Sequence, residues 1–178
     1  MTPEQCNLVF ALTLKRISYA EFVVRSGLDP RGTPGFGAPL LREALASGDP
    51  VVVECATILI SSFEGWKPEH VPALLELLAA PWHTSHEDIA LALQKIRDPR
   101  SIDALHRTAL TKLPYLDYND SHALARKCTW ALADIGTPEA RTRLEALTTE
   151  ADETVAEFAR KRLANWDREL DRKASREG

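Results

Sequence analysis

The sequence predicts an all-α fold, an α-α superhelix of stacked antiparallel helical hairpins, and three observations carry that prediction. Strand signals are almost absent: the β-branched run "VVVECATILI" at 51–60 is the one candidate, and no hairpin turn follows it. Helix-start signatures recur along the whole chain. Between them the apolar residues follow helical spacing, one stripe per segment, so each helix must lean on its neighbours.

Taken in order, "TPEQ" at 2–5 offers Thr2 as N-cap, Pro3 at the first helical position and Gln5 three residues on, which starts a helix over about 3–14. "SYAE" at 18–21 repeats the logic with Ser18 and Glu21 and starts a second over about 18–26. "SGLDPRGTPGFGAP" at 26–39 holds four of the eight glycines and three prolines, a loop rather than an element; its glycines follow no strand and end in no Gly-Lys-Ser/Thr, so it is not a phosphate-binding loop. Capping residues precede prolines again at Asp49-Pro50, Asp98-Pro99 and Thr137-Pro138, where the missing proline N–H costs the first turn nothing. The stripes after these starts are Ile89, Ala92, Leu93 and Ile96; Ile102, Leu105, Ala109 and Leu113; and Leu124, Cys128, Ala131, Leu132 and Ile135. Connections of two to six residues force consecutive helices antiparallel. The last helix turns Val155, Phe158, Ala159, Leu163 and Trp166 inward, and "DRELDRKASREG" after it is polar throughout, a tail expected to fray.

At 178 residues with 44% hydrophobic and 27% charged residues the chain is long enough for one continuous core. We divide it into capping helices and a Gly/Pro-rich loop at 1–38, then repeats with a C-terminal capping helix at 39–178. No apolar run reaches the length of a membrane span and the N-terminus lacks the basic region of a leader, so a cytoplasmic protein without membrane contact is expected. Cys6, Cys55 and Cys128 stand far apart among helix-forming apolar residues and read as buried thiols. A net charge of -4 argues against nucleic acid, whose phosphates require a basic face.

The chain also repeats itself. "ALQKIRDPRSIDAL" at 92–105 aligns with "ALADIGTPEARTRL" at 131–144, an offset of 39 residues; "LARK" at 124–127 returns as "FARK" at 158–161, and "DPVVVECA" at 49–56 as "DETVAEFA" at 152–159. The pattern A-L-x-x-I-x-[DT]-P-x-[AS]-x-x-x-L resembles the short bacterial HEAT-like repeats, the type also found in phycobilisome lyases, over about residues 49–165. That resemblance implies two-helix units stacked in a right-handed superhelix, a HEAT-like solenoid, with the second helix of each pair lining a concave face, and 1–38 as the cap over its open end.

The one stretch that looks like site chemistry is "WHTSHEDIALALQKIRDP" at 82–99, with His83, His86, Glu87 and Asp88 close together. Ser85 as N-cap with Asp88 three residues on explains it as a helix start, and Glu87 and Asp88 then favour the helix dipole. A zincin would need H-E-x-x-H, and position 90 is Ala; His83 and His86 leave only a weak H-x-x-H as metal-ligand candidates. His86-Glu87 also resembles one His-Glu pair of deoxyhypusine hydroxylase, a HEAT-like di-iron enzyme, but that pattern needs several pairs, and Ala125 and Arg126 stand at the next repeat position. His122 occupies the position equivalent to His83, and His70 and His106 are expected isolated on the surface. No nucleophile motif and no cofactor motif are present, so we expect no enzyme.

A partner surface is better supported. "LPYLDYND" before Ser121 lengthens one joint by about eight residues and accounts for the 39-residue offset. Tyr115, Asp117, Tyr118 and Asp120 on it have the composition of a recognition loop, against the alternative that both tyrosines fold back over helix ends. On the second helices, Arg100, Asp103 and Arg107, then Glu139, Arg141 and Arg143, are expected exposed, with Glu69, His70 and Glu76 on the preceding one. Trp66, Trp82, Trp130 and Trp166 read as packing residues at repeat seams. The leading expectation is a scaffold or adaptor that holds another protein, and by likeness of size, charge and fold an immunity protein that blocks a bacterial toxin. The alternatives are a metal-dependent HEAT-like hydroxylase or hydrolase, a phycobilin lyase, and a glycosylase acting on alkylated DNA, the last disfavoured by charge.

Overall fold

The computed structural model describes residues 1–168, and the polar tail expected to fray lies, from Glu169 on, outside them. Among the described residues every element is helical. The chain forms two compact units, Met1–Ser85 and the residues from His86 on.

The first unit holds α1 (Pro3–Thr13), α2 (Tyr19–Ser26), α3 (Gly37–Ser47), α4 (Pro50–Leu59) and α5 (Val71–Ala79). The starts of α1, α2 and α4 are the ones read from sequence, while α3 begins at Gly37, inside the stretch read as a loop. Thr2 accepts from the Gln5 N–H and Gln5 reaches back to the Thr2 N–H, a complete capping box. Ser18 caps the Glu21 N–H and Asp49 the Val51 N–H. The β-branched run at 51–60 is helical because its cap and proline nucleate α4 and because Val52, Val53, Cys55, Ala56 and Leu59 all find core neighbours there. Helix α1 packs on α2 and α4, and α3 on α4 and α5. Phe22, Leu41, Val53, Leu74 and Leu77 are buried completely. After α4 the chain widens into a π-turn, Ile60–Glu64, closed by Gly65 N–H donating to Ile60 O at 2.8 Å. A 3-10 turn, Pro68–His70, then leads into α5.

The second unit holds α6 (His86–Ile96), α7 (Ile102–Ala109), α8 (His122–Ile135), α9 (Pro138–Leu147) and α10 (Glu153–Ala164). Here the repeat is visible as packing: the first helices stack as α6 on α8 on α10, the second as α7 on α9, and α8 packs against both α7 and α9. Ile89, Leu93, Leu105, Leu124, Leu132 and Leu144 fill the core, while Ala90, Ala92, Ala131, Ala140 and Ala156 are fully buried and let the helix axes approach. Asp98 and Thr137 cap at equivalent positions, and Asp152 caps α10 as Asp49 caps α4. The three cysteines are buried free thiols. No described helix is long and apolar enough to cross a membrane.

Candidate functional site

The inserted segment of the second unit is a built turn. Residues Pro114–Asn119 form a 3-10 helix. Leu113 and Leu116 sink into the core, Leu113 N–H donates to Ser121 Oγ at 3.0 Å, and Ser121 N–H donates to Leu116 O at 3.1 Å. Asp120 and Ser121 both adopt left-handed backbone, φ 51° and 61°, which few side chains tolerate and which reverses the chain into α8. Lys112 Nζ ties the turn down, donating to Asp120 O at 2.6 Å and to Asp152 Oδ2 at 2.9 Å.

The two tyrosines of this turn part company. Tyr115 lies half-buried with its hydroxyl 3.0 Å from His86 Nδ1 and its ring 5.7 Å from the imidazole. Burial first, then the charges of Glu87 and Asp88, push its phenol up to about 12, so it stays protonated. Tyr118 is 78% exposed, flanked by exposed Asp117 and Asp120. Of the two, Tyr115 anchors the turn and Tyr118 is presented.

The second-helix charges expected on one face are exposed at Asp103, Arg107, Glu139, Arg141 and Arg143. Asp103 and Arg143 pair across α7 and α9 at 2.8 Å, and Arg141 pairs with Glu145 one turn on, its guanidinium 5.6 Å from the Trp166 ring. Arg100 folds back on Asp98 at 2.6 Å and supports the cap. Trp166 is buried, and Trp130 is half-buried under the Arg162 guanidinium at 3.6 Å, in keeping with packing roles.

The two histidines named as metal candidates, His83 and His86, are both buried and hydrogen-bonded. Both ring nitrogens of His83 are engaged: Nε2 donates to Leu77 O at 2.8 Å, and Nδ1 accepts from Ser85 N–H at 3.1 Å. Burial lowers its pKa and holds it neutral. His86, also buried, starts α6 directly after Ser85 and turns Nδ1 to Tyr115. His122 is half-buried on Asp152.

Two surface expectations are corrected. His106 is half-buried, its Nε2 shut away from solvent, because it shares a turn of α7 with Leu105 and Ala109 over the core. His70, expected beside Glu69 and Glu76 on an exposed face, is 0% exposed. The reason is local: residues 68–70 are 3-10, so the 3.6-residue period of α5 does not run back through them.

Around His70 lies a constellation that sequence reading missed. Glu64, Glu69 and His70 each bring a ligand-type atom within 4.8 Å of the others. Lys67 N–H donates to His70 Nδ1 at 3.1 Å, however, so the neutral ring carries its proton on Nε2, the atom that faces Glu64 Oε2 at 3.9 Å. A metal on Nε2 needs the opposite tautomer, with Nδ1–H donating outward. At 3.9 Å the two atoms are not hydrogen-bonded, and Nε2 is buried without a hydrogen-bond partner. Glu64 in turn accepts from Gly37 N–H at 2.7 Å and from Lys67 Nζ at 2.9 Å, and so caps the start of α3 from outside it. The signal available in the sequence was Gly37: a Cβ there would lie 2.6 Å from Glu64 Oε2 and 2.7 Å from His70 Nε2.

Packed helical hairpins with a presented aromatic turn place the chain among all-α repeat proteins. Residues 124–149, which take in most of α8 and all of α9, match the PBS lyase HEAT-like repeat family, so the chain carries a repeat of that family there. No curated protein and no solved structure matches the chain.

Proposed function

We propose that this protein is a non-enzymatic binding module that holds another protein through the 114–120 turn and the charged surface of α7 and α9. The carrying observation is Tyr118: a large aromatic side chain, 78% exposed, on a turn fixed from below by Leu113, Leu116, Tyr115 and Lys112. A fixed backbone presenting an aromatic group lowers the ordering entropy that association must overcome. HEAT-like repeats are a common protein-binding architecture, which supports the reading as analogy. An immunity role against a bacterial toxin is a finer form of the same proposal, supported by size, fold and a net charge of -4.

The test is a photo-crosslinking residue at position 118, with position 24 as control, since Val24 is 84% exposed in the other unit. A single protein crosslinked at 118 but not at 24, held at one-to-one stoichiometry and released by Tyr118→Ala, is expected. Equal labelling at both positions overturns the turn as the binding site. Rescue of cells from the toxic activity of the captured partner would identify the immunity form.

A further inference from the structure

The first unit holds a cleft of about 290 Å³ between the 27–36 loop, α3 and the end of α4. Its walls are apolar, supplied by Leu28, Phe36, Pro39, Leu40 and Leu59. The polar groups that line it are Thr33 and two carboxylates, Asp29 and Glu43, and no cationic side chain lines it. We infer that this cleft binds a small free alkyl- or arylalkyl-ammonium, its hydrocarbon body against the leucines and Phe36 and its ammonium at the Asp29 and Glu43 carboxylates.

Three features of the cleft support that assignment. Its size, at the lower edge of small-molecule sites, suits a body of about six to eight carbons. The charged side chains that line it are of one sign, so they offer an anion no partner, and a neutral molecule gains only the apolar contact. Its carboxylates are held ready: Asp29 Oδ1 accepts from the Tyr19 hydroxyl at 2.7 Å and from Gly32 N–H at 3.0 Å, which together keep that carboxyl below its usual range. Arg31, the neighbouring cation, is drawn off over the rings of Tyr19 and Phe63, at 4.1 and 5.4 Å. Glu43 Oε1 pairs with the Met1 ammonium, which a ligand amine would replace there.

The test is titration of the full chain with n-hexylammonium, n-hexanol and n-hexanoate, read from backbone amide shifts of Gly27, Thr33 and Leu40. Saturable shifts at these amides are expected, with the ammonium binding about five-fold or more tightly than the alcohol and the carboxylate not binding. Glu43→Gln, an exposed substitution that leaves the fold intact, should reduce that preference, and Asp29→Asn should reduce it further. The inference is overturned if hexanol matches hexylammonium, if hexanoate moves the same amides, or if none of the three does. Tighter binding of Nα-acetyl-lysinamide than of hexylammonium would overturn the free amine in favour of a lysine side chain.

Discussion

His122 Nε2 and Asp152 Oδ2 lie 2.9 Å apart, and the same carboxylate accepts from Lys112 Nζ and from the Thr154 and Val155 N–H groups at the start of α10. One side chain thus joins the start of α8, the inserted turn and the start of the last helix. The turn and α8 are neighbours in sequence, but the start of the last helix lies 30 residues beyond His122.

Asp152→Ala should lower stability by about 1 to 3 kcal/mol, a lost N-cap plus the Lys112 ion pair and the His122 hydrogen bond. The Lys112 contact, followed by His122, holds this carboxyl well below the usual carboxylate range. Its contribution is therefore complete at neutral pH and declines as pH falls below about 4, where the unfolded chain takes up the proton first. Urea melts of parent and variant should differ at pH 7 and converge towards pH 2; a constant difference would mean that the carboxylate charge plays no part.

His70, His83 and His106 are each held below the ordinary histidine range, chiefly by burial. A lowered folded-state pKa means that the unfolded chain binds protons more readily, so stability is complete above about pH 6.5 and falls below it. The loss at pH 5.5 is at most about 1.4 kcal/mol per histidine. Denaturant midpoints at pH 7.5 and 5.5 measure it, and His70→Gln should flatten the dependence by its share.

Gly37→Ala should destabilise by about 1 to 3 kcal/mol although alanine favours helices, because its Cβ enters the space between Glu64, His70 and Ile60 Cγ1. Glu64 and His70 are buried, with side chains 5% and 0% exposed, and have little room to retreat. A stabilised variant in thermal melts would show that this corner is loosely packed.

Tyr118→Ala should change stability by less than about 0.5 kcal/mol and abolish partner capture. Tyr115→Phe removes the hydroxyl from His86 and should cost about 0.5 to 1.5 kcal/mol in denaturant melts. The reverse outcome, with Tyr118 structural and Tyr115 silent, would exchange the roles assigned to the two tyrosines.

Leu132→Ala, at a fully buried position on α8, should cost about 2 to 5 kcal/mol. A loss below about 1 kcal/mol in the same melts would place the repeat core elsewhere.

The helix starts were legible because a cap is a local event: Thr2, Ser18, Asp49, Asp98 and Thr137 each bond a backbone N–H within three residues. The 39-residue offset was legible because stacked repeats bury equivalent residues, and it places even the half-buried pair Ile96 and Ile135 alike. His70 was not legible. Its burial depends on a 3-10 turn, a π-turn and a glycine 33 positions upstream, none of which follows the period of an α-helix. Likewise nothing in the residue types of Tyr115 and Tyr118 says which one meets His86, because that is decided by the fold of the turn between them.

The π-turn at Ile60–Glu64 has a consequence for how this chain tolerates changes of length. Its closing bond spans five residues where an α-helix spans four, so it stores one residue of surplus. Deleting Ser61 or Ser62 would let α4 run on as regular α-helix, four residues then covering the turn that five cover now. Glu64 would stay close to its present direction, and its bond to the Gly37 N–H should survive. An alanine in place of either serine keeps the count and should be harmless. At this point the chain should tolerate the loss of one residue as well as a change of residue type.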